Sequence, residues 1–186
     1  LGYGWMHYSL IRLLKPKKVL CVGSRHGYIP AILAQACKDN GLGHVYFVDA
    51  GFGDESDAHW TGVGYWRTDE GKNVFYHAGL ELWITLCVTT TKEFAEAHPE
   101  ERYDYIYIDG DHSFKGAKLD FDLFWPQLNE YGFIGFHDVS VKGTLPEGEY
   151  GVHKVWERIK KKYPTTLEFP FMGSGLGIAQ KRPAKG

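Results

Sequence analysis

The stretch YDYIYIDGDHSF, residues 103–114, decides how this chain is read. Its first seven residues are apolar or aromatic at nearly every position. That is the pattern of a strand covered on both faces, not of one that faces water. The run stops at Asp109-Gly110-Asp111-His112, two carboxylates and an imidazole at the exit of a buried segment. A solvated turn would explain this cluster, and so would a catalytic edge. The segments on either side separate the two readings.

Upstream, KVLCV (18–22) reads as an apolar strand and GSRHG (23–27) as a glycine-bounded turn. Ile29, Ile32, Leu33, Ala36 and Cys37 then form the stripe of a helix over 28–39, stopped by Gly41 and Gly43. HVYFVD (44–49) is a second strand. Helices are predicted over 5–14, 69–80, 91–98, 115–129 and 151–162, and strands over 83–88 and 132–138. The last helix turns Val152, Val155, Trp156 and Ile159 inward, and Pro164 prevents its continuation. Two close-spaced strands, 165–169 and 176–181, end the pattern, and 139–149 reads as a loop. Strands alternating with helices predict an α/β fold: a mostly parallel seven-stranded sheet with one antiparallel strand and helices on both faces.

Size and composition set further bounds. A chain of 186 residues with 44% hydrophobic residues is expected to form one globular domain over 1–186. A net charge of -2 argues against a nucleic-acid partner, which needs a basic face. The run Lys160-Lys161-Lys162 suits the last turn of a helix. No apolar run approaches membrane-spanning length. Cys21, Cys37 and Cys87 lie in apolar periodic segments without CxxC spacing, so they are expected to be reduced core residues of a cytoplasmic protein.

Open α/β sheets bind ligands at the carboxyl ends of their strands. Here those ends are Gly23-Ser24-Arg25, Asp49, Thr89-Thr90-Thr91, Asp109 to His112, and His137-Asp138. Three of the five exits carry a carboxylate, which one edge rarely collects by chance. The glycine turn lacks the middle glycine of a dinucleotide site, so a ligand without phosphates fits it better. Asp49, about 20 residues after a glycine turn, stands where an acid accepts from ribose hydroxyls. Asp109, Asp138 and His137 are candidate ligands of one divalent cation. Two carboxylates suit Mg²⁺, and a histidine ligand favours Mn²⁺, Fe²⁺ or Zn²⁺. Asp111 is a weaker candidate, because Gly110 can turn it outward. His112 is the candidate base for a metal-held hydroxyl. His7, His44, His77, His98 and His153 read as surface or packing residues, whereas His26 and His59 lie in loops near the expected edge. The segment 50–68 is long for an internal loop and carries Trp60, Tyr65 and Trp66. It is expected to wall or cover an acceptor site, or to form a subunit interface in a homo-oligomer.

Taken together, VLCVGSRHGY, YIYIDGDHSF, GFIGFHDV and the late GLGIAQ resemble the class I S-adenosylmethionine-dependent methyltransferases. Within them the chain looks most like the metal-dependent small-molecule O-methyltransferases, including macrocin-type sugar O-methyltransferases and their D-G-D-H relatives. The resemblance implies that Gly23, Ser24, Arg25, Gly27 and Tyr28 cradle the methionine part of the donor. It implies that Asp49 holds the ribose, that Thr90 and Thr91 flank the adenine, and that Asp109 borders both donor and metal. Asp109, His137 and Asp138 fall on metal-ligand positions and His112 on the general-base position. Cys21 stands where relatives carry an acid before the donor loop, and His137 where they often carry another acid. The acceptor would be a small-molecule hydroxyl. Two alternatives stay open: a metal-dependent hydroxylase or hydrolase on the same scaffold, and a non-catalytic nucleoside-binding module.

Overall fold

A computed structural model of the protein describes residues 2–53, 64–145, 148–170 and 173–183. The elements run α1 (Gly2–Leu14), β1 (Lys18–Val22), α2 (Tyr28–Asn40), β2 (His44–Asp49), a 3₁₀ turn (Tyr65–Arg67), α3 (Asp69–His77), β3 (Ile84–Val88), α4 (Thr91–Ala97) and β4 (Tyr103–Ile108). They continue with α5 (Phe114–Phe124), β5 (Leu128–His137), β6 (Gly143–Leu145), β7 (Gly148–Tyr150), α6 (Val152–Lys162), β8 (Thr166–Phe169) and β9 (Leu176–Gln180). Seven strands form one sheet in the order β3-β2-β1-β4-β5-β9-β8, and only β9 runs against the rest.

Strand alternation divides the core between the two faces of the sheet. On one face Val19, Cys21, Phe47, Tyr105 and Tyr107 pack with residues of α1, α2 and α3. On the other Leu20, Val22, Val48, Ile106 and Ile108 pack with α4, α5 and α6. Each β1 and β4 residue therefore has a helix layer opposite it, which is why these strands read as continuous apolar runs. The site they carry sits on a scaffold with no solvated face.

Five expectations need correction. The helix predicted over 115–129 ends at Phe124. Pro126 has no N–H to give to the helix, so the chain turns there instead. Lys181 Nζ holds this turn by donating to the carbonyls of Trp125 at 3.1 Å and Leu128 at 2.6 Å. The next strand consequently starts at Leu128, not 132. The loop predicted over 139–149 contains the β6–β7 pair. The helix predicted over 69–80 ends at His77. Cys21 and Cys37 are buried and free, whereas Cys87 is only half-buried. Among the described residues no helix is long and apolar enough to cross a membrane.

Candidate active site

The chain leaves β1 toward β2 and β3, then returns to β4 on the other side of β1. The crevice between β1 and β4 is thus the switch point at which such sheets bind ligands. Gly23, at φ 73°, closes this seam. A Cβ on Gly23 would fall 2.3 Å from the Asp109 carbonyl oxygen, so only glycine lets the first and fourth strand exits touch. Asp109 N–H donates to the Val22 carbonyl at 2.8 Å, and Gly23 N–H to that of Val48 at 2.9 Å.

On the β1 side, Ser24 N–H donates to Asp49 Oδ2 at 3.2 Å and Gly51 N–H to Oδ1 at 2.8 Å. Burial raises the Asp49 carboxyl above its usual range, and these two N–H groups oppose the rise. Gly27 N–H donates to Ser24 Oγ at 3.1 Å. Arg25 and Tyr28 are exposed at the rim. Thr90 caps α4 through a reciprocal pair with Glu93, worth about 1 kcal/mol. The Thr91 hydroxyl is engaged with Asp120 of α5. Their side chains therefore support the β3 exit, where Thr89 N–H donates to the Asp49 carbonyl at 3.0 Å.

On the β4–β5 side, Asp109, His137 and Asp138 offer ligand atoms that all lie within 4.8 Å of one another. His137 Nδ1 stands 3.3 Å from Asp109 Oδ1 and 3.1 Å from Asp138 Oδ1. This nitrogen is buried, yet neither carboxylate meets it in hydrogen-bond alignment. Two carboxylates and an imidazole nitrogen converging on one point form a donor set that fits one divalent cation. Without a cation, burial would lower the His137 imidazole, but Asp109 and Asp138 push it up to about 11. Burial would likewise raise Asp109, but His137 and His112 hold it well below the carboxylate range. Asp138 adopts φ 58°, a strained left-handed conformation that the β5 exit imposes on a residue only 5% exposed.

His112 joins the same group. Its Nε2 is 3.2 Å from Asp109 Oδ1 and its Nδ1 3.5 Å from Asp138 Oδ2. Burial opposes its charge, yet the bond to Asp109 raises its pKa above the usual value. Asp111 turns away: it is exposed and accepts from Ser113 N–H at 2.8 Å at the start of α5. A cavity of about 300 Å³ opens beside the cluster, lined by Tyr3, Ser24, Arg25, Tyr28, Asp109 and His137 among others.

Two residues next to this group, Tyr150 and Tyr3, escape the sequence reading, and a third, His7, is the packing residue it was expected to be. Tyr150, at the end of β7, stacks on the His112 ring, and Gly151 N–H donates to the His112 carbonyl at 2.8 Å. Tyr3 of α1 sets its ring edge against His137 at 5.8 Å between centroids. His7, also of α1, is fully buried; its Nδ1 pairs with the Tyr105 hydroxyl at 2.8 Å and its ring lies 4.3 Å from that of Tyr107. Burial pushes His7 down to about 3 despite the nearby Asp109 carboxylate, so its imidazole is neutral. The three-residue β6 and β7 fall below any periodicity signal.

The aromatic segment departs from its expected part. Trp60 and His59 lie outside the described residues. Trp66 faces neither an acceptor nor a subunit: it is 2% exposed and stacks on Phe75 at 5.7 Å beneath the β1–α2 turn. Large rings are buried wherever a core can take them, and the space below the small residues of this turn takes one. Tyr65 packs its ring edge against His26 at 5.2 Å.

The family model of a methyltransferase domain matches residues 20–139, the span from β1 to the β5 exit. The chain belongs to that family. Its fold is that of the class I S-adenosylmethionine-dependent methyltransferases. Solved structures of 11–20% identity share its fold. An O-methyltransferase from Bacillus cereus in complex with S-adenosylhomocysteine superposes with a TM-score of 0.74 at 17% identity, over 97% of this chain and 81% of that one. The O-methyltransferase TomG from Streptomyces achromogenes, involved in tomaymycin synthesis and bound to S-adenosylmethionine, gives 0.72 at 14% identity, over 98% and 80%. The uncharacterized protein y4gI of Sinorhizobium fredii is 26% identical over 182 residues. That match takes in 96% of this methyltransferase chain but spans only 18% of y4gI.

Proposed function

We propose that this methyltransferase transfers the donor methyl group to a hydroxyl of a small molecule, a sugar or a phenol, with a divalent cation and a histidine base. One observation carries this reading: Asp109, His112, His137 and Asp138 meet at one sheet edge, against the glycine turn of the donor site. The solved neighbours named as O-methyltransferases favour oxygen as the acceptor atom.

Gly23, Ser24, Arg25, Gly27 and Tyr28 border the donor's methionine part, Asp49 its ribose, and Thr90 and Thr91 its adenine. Asp109, His137 and Asp138 would hold the cation, Mg²⁺ or, given the imidazole, Mn²⁺, Fe²⁺ or Zn²⁺. When bound, the cation would lower the pKa of the acceptor hydroxyl and fix its oxygen. With Asp109 turned to the cation, His112 Nε2 would be released from its bond to Asp109 and would take the hydroxyl proton, while Asp138 steadies Nδ1. The acceptor oxygen then attacks the donor methyl carbon. The oxygen–carbon bond forms as the carbon–sulfur bond breaks, and its electron pair stays on sulfur as a neutral thioether. Buried walls from Tyr3 and Tyr107 keep water from the exchange.

Calorimetric titration with S-adenosylmethionine, followed by a screen of catechol and sugar acceptors with and without chelator, tests this reading. Failure to bind millimolar donor would refute it. Full turnover after chelation would remove the cation from it.

A further inference from the structure

The 3₁₀ turn Tyr65–Arg67 holds both donor-binding loops at once. From one side Trp66 Nε1 donates to the Ser24 carbonyl at 2.7 Å, inside the β1–α2 turn. The same ring leaves no room for a side chain at Gly27, where a Cβ would lie 2.7 Å from Trp66 Cη2. From the other side Arg67 Nε donates to the Gly51 carbonyl at 2.8 Å and Nη2 to that of Ala50 at 2.9 Å. Ala50 and Gly51 directly follow Asp49, whose carboxylate accepts from Ser24 and Gly51 N–H. Gly64 N–H closes the arrangement on the Phe52 carbonyl at 3.0 Å.

These contacts are not interchangeable with ordinary packing. Ser24 and Gly51 are the two residues whose N–H groups orient Asp49, and their carbonyls are the ones held by Trp66 and Arg67. Fixing a peptide's carbonyl fixes the plane of that peptide, and so the loop conformation that aims the neighbouring N–H groups. A loop that must order itself around a ligand loses affinity to that ordering, and a loop already held does not. Among the described residues the turn leads into α3, capped by the Thr68 side chain, which accepts from Gly71 N–H at 3.0 Å, and Trp66 packs on the core rings Phe47 and Phe75. The turn is thus anchored to the body of the fold on the side away from the donor.

We propose that Trp66 and Arg67 are positioning residues for the methyl donor: a two-point clasp that preorders the methionine loop and the ribose-binding acid together. The proposal rests on the donor site described above. It also gives Trp66 and Arg67, at the end of the aromatic segment, a role in donor affinity.

Trp66→Phe keeps a ring against Phe75 but removes the N–H together with the part of the indole that fills the space below Gly27. Arg67→Met keeps the stem and removes both guanidinium donors. Binding of S-adenosylhomocysteine is measured by calorimetry and thermal melting without ligand by calorimetric scanning. Each variant is expected to bind about tenfold more weakly, the worth of one or two loop hydrogen bonds, with the ligand-free melting temperature nearly unchanged for Arg67→Met and, for Trp66→Phe, lowered by less than would account for the weaker binding. The double variant is expected to lose between about tenfold and a hundredfold, because both contacts arise in one turn and converge on Asp49, so their effects couple. Arg67→Lys, which retains one donor, is expected to recover part of the loss. Variants that bind as tightly as wild type, or whose weakened binding follows a lowered ligand-free melting temperature, overturn the clasp and leave the donor site standing. Wild-type protein that binds no S-adenosylhomocysteine overturns the donor site and the clasp with it.

Discussion

The ring of Tyr150 lies over the imidazole of His112, centroids 5.3 Å apart and planes 30° from parallel. A short strand pair far along the chain therefore braces the proposed base. His112 is held on three sides, by Asp109, Asp138 and this ring. Replacing Tyr150 with Ala is expected to lower turnover about fivefold, in line with the worth of an aromatic pair, and Tyr150→Phe to leave it near wild type. The His112 ring resonances should shift in the Ala variant only, which NMR reads directly.

His112→Ala is expected to reduce methyl transfer by roughly 10² to 10⁴, the usual contribution of a positioned base. Binding of S-adenosylhomocysteine should be unchanged within twofold, because His112 lies on the acceptor side of Asp109. Comparing turnover with calorimetric affinity checks both halves. An equal loss of donor binding would contradict the base assignment.

The cation site predicts both selectivity and pH dependence. With one imidazole among its ligands, the site should bind Mn²⁺ more tightly than Mg²⁺, and His137→Asp should narrow that gap. In the ion-free protein His137 holds its proton up to about pH 11. Cation binding must displace that proton. Apparent Mn²⁺ affinity should therefore rise with pH through the neutral range, with release of about one proton. Titrations in buffers of different ionisation enthalpy measure the proton count.

Asp120 carries a prediction about stability. It is 4% exposed on α5, and its Oδ2 would lie 3.2 Å from a Cβ on Gly110. Burial pushes its carboxyl up to about 7, despite the bond from Thr91 and with Asp111 adding to the rise. A folded-state pKa above the unfolded value means the folded protein binds more protons between the two. Stability from this group is thus full below about pH 4, falls as pH rises toward 7 and is lost above it. Raising the pKa from the ordinary 3.8 to about 7 corresponds to at most roughly 4 kcal/mol. Asp120→Asn should therefore raise the melting temperature at pH 8 by several degrees and hardly change it at pH 4. A flat difference across that range in thermal scans would contradict the assignment.

Much of this was legible along the chain because strand burial leaves a local mark. YDYIYID, KVLCV and HVYFVD announce two-sided cover, so their ends mark one edge of the sheet before any coordinates exist. The glycine turn and the carboxylates at Asp49, Asp109 and Asp138 follow from those ends. The helix predicted through residue 129 failed because its apolar spacing persists past Pro126, and the missing N–H outweighs the spacing. Trp66 was assigned to an acceptor wall because ring content does not say which side of a loop is buried. Its indole found a core below the β1–α2 turn. Tyr150 gave no signal at all, since its contact to His112 spans 38 residues.

The sequence by itself determined the parallel sheet, its switch point and the acids and histidines at the strand exits, because burial pattern and turn chemistry are properties of neighbouring residues. Only the tertiary structure decided that Asp109, His112, His137 and Asp138 converge with a buried imidazole nitrogen set between two carboxylates. It alone decided that Asp111 faces solvent and that Trp66 and Arg67 grip the donor loops. Those outcomes depend on which side chains meet across distant loops. Such meetings are set by packing volume and by the need to satisfy buried polar groups, neither of which is written in local spacing.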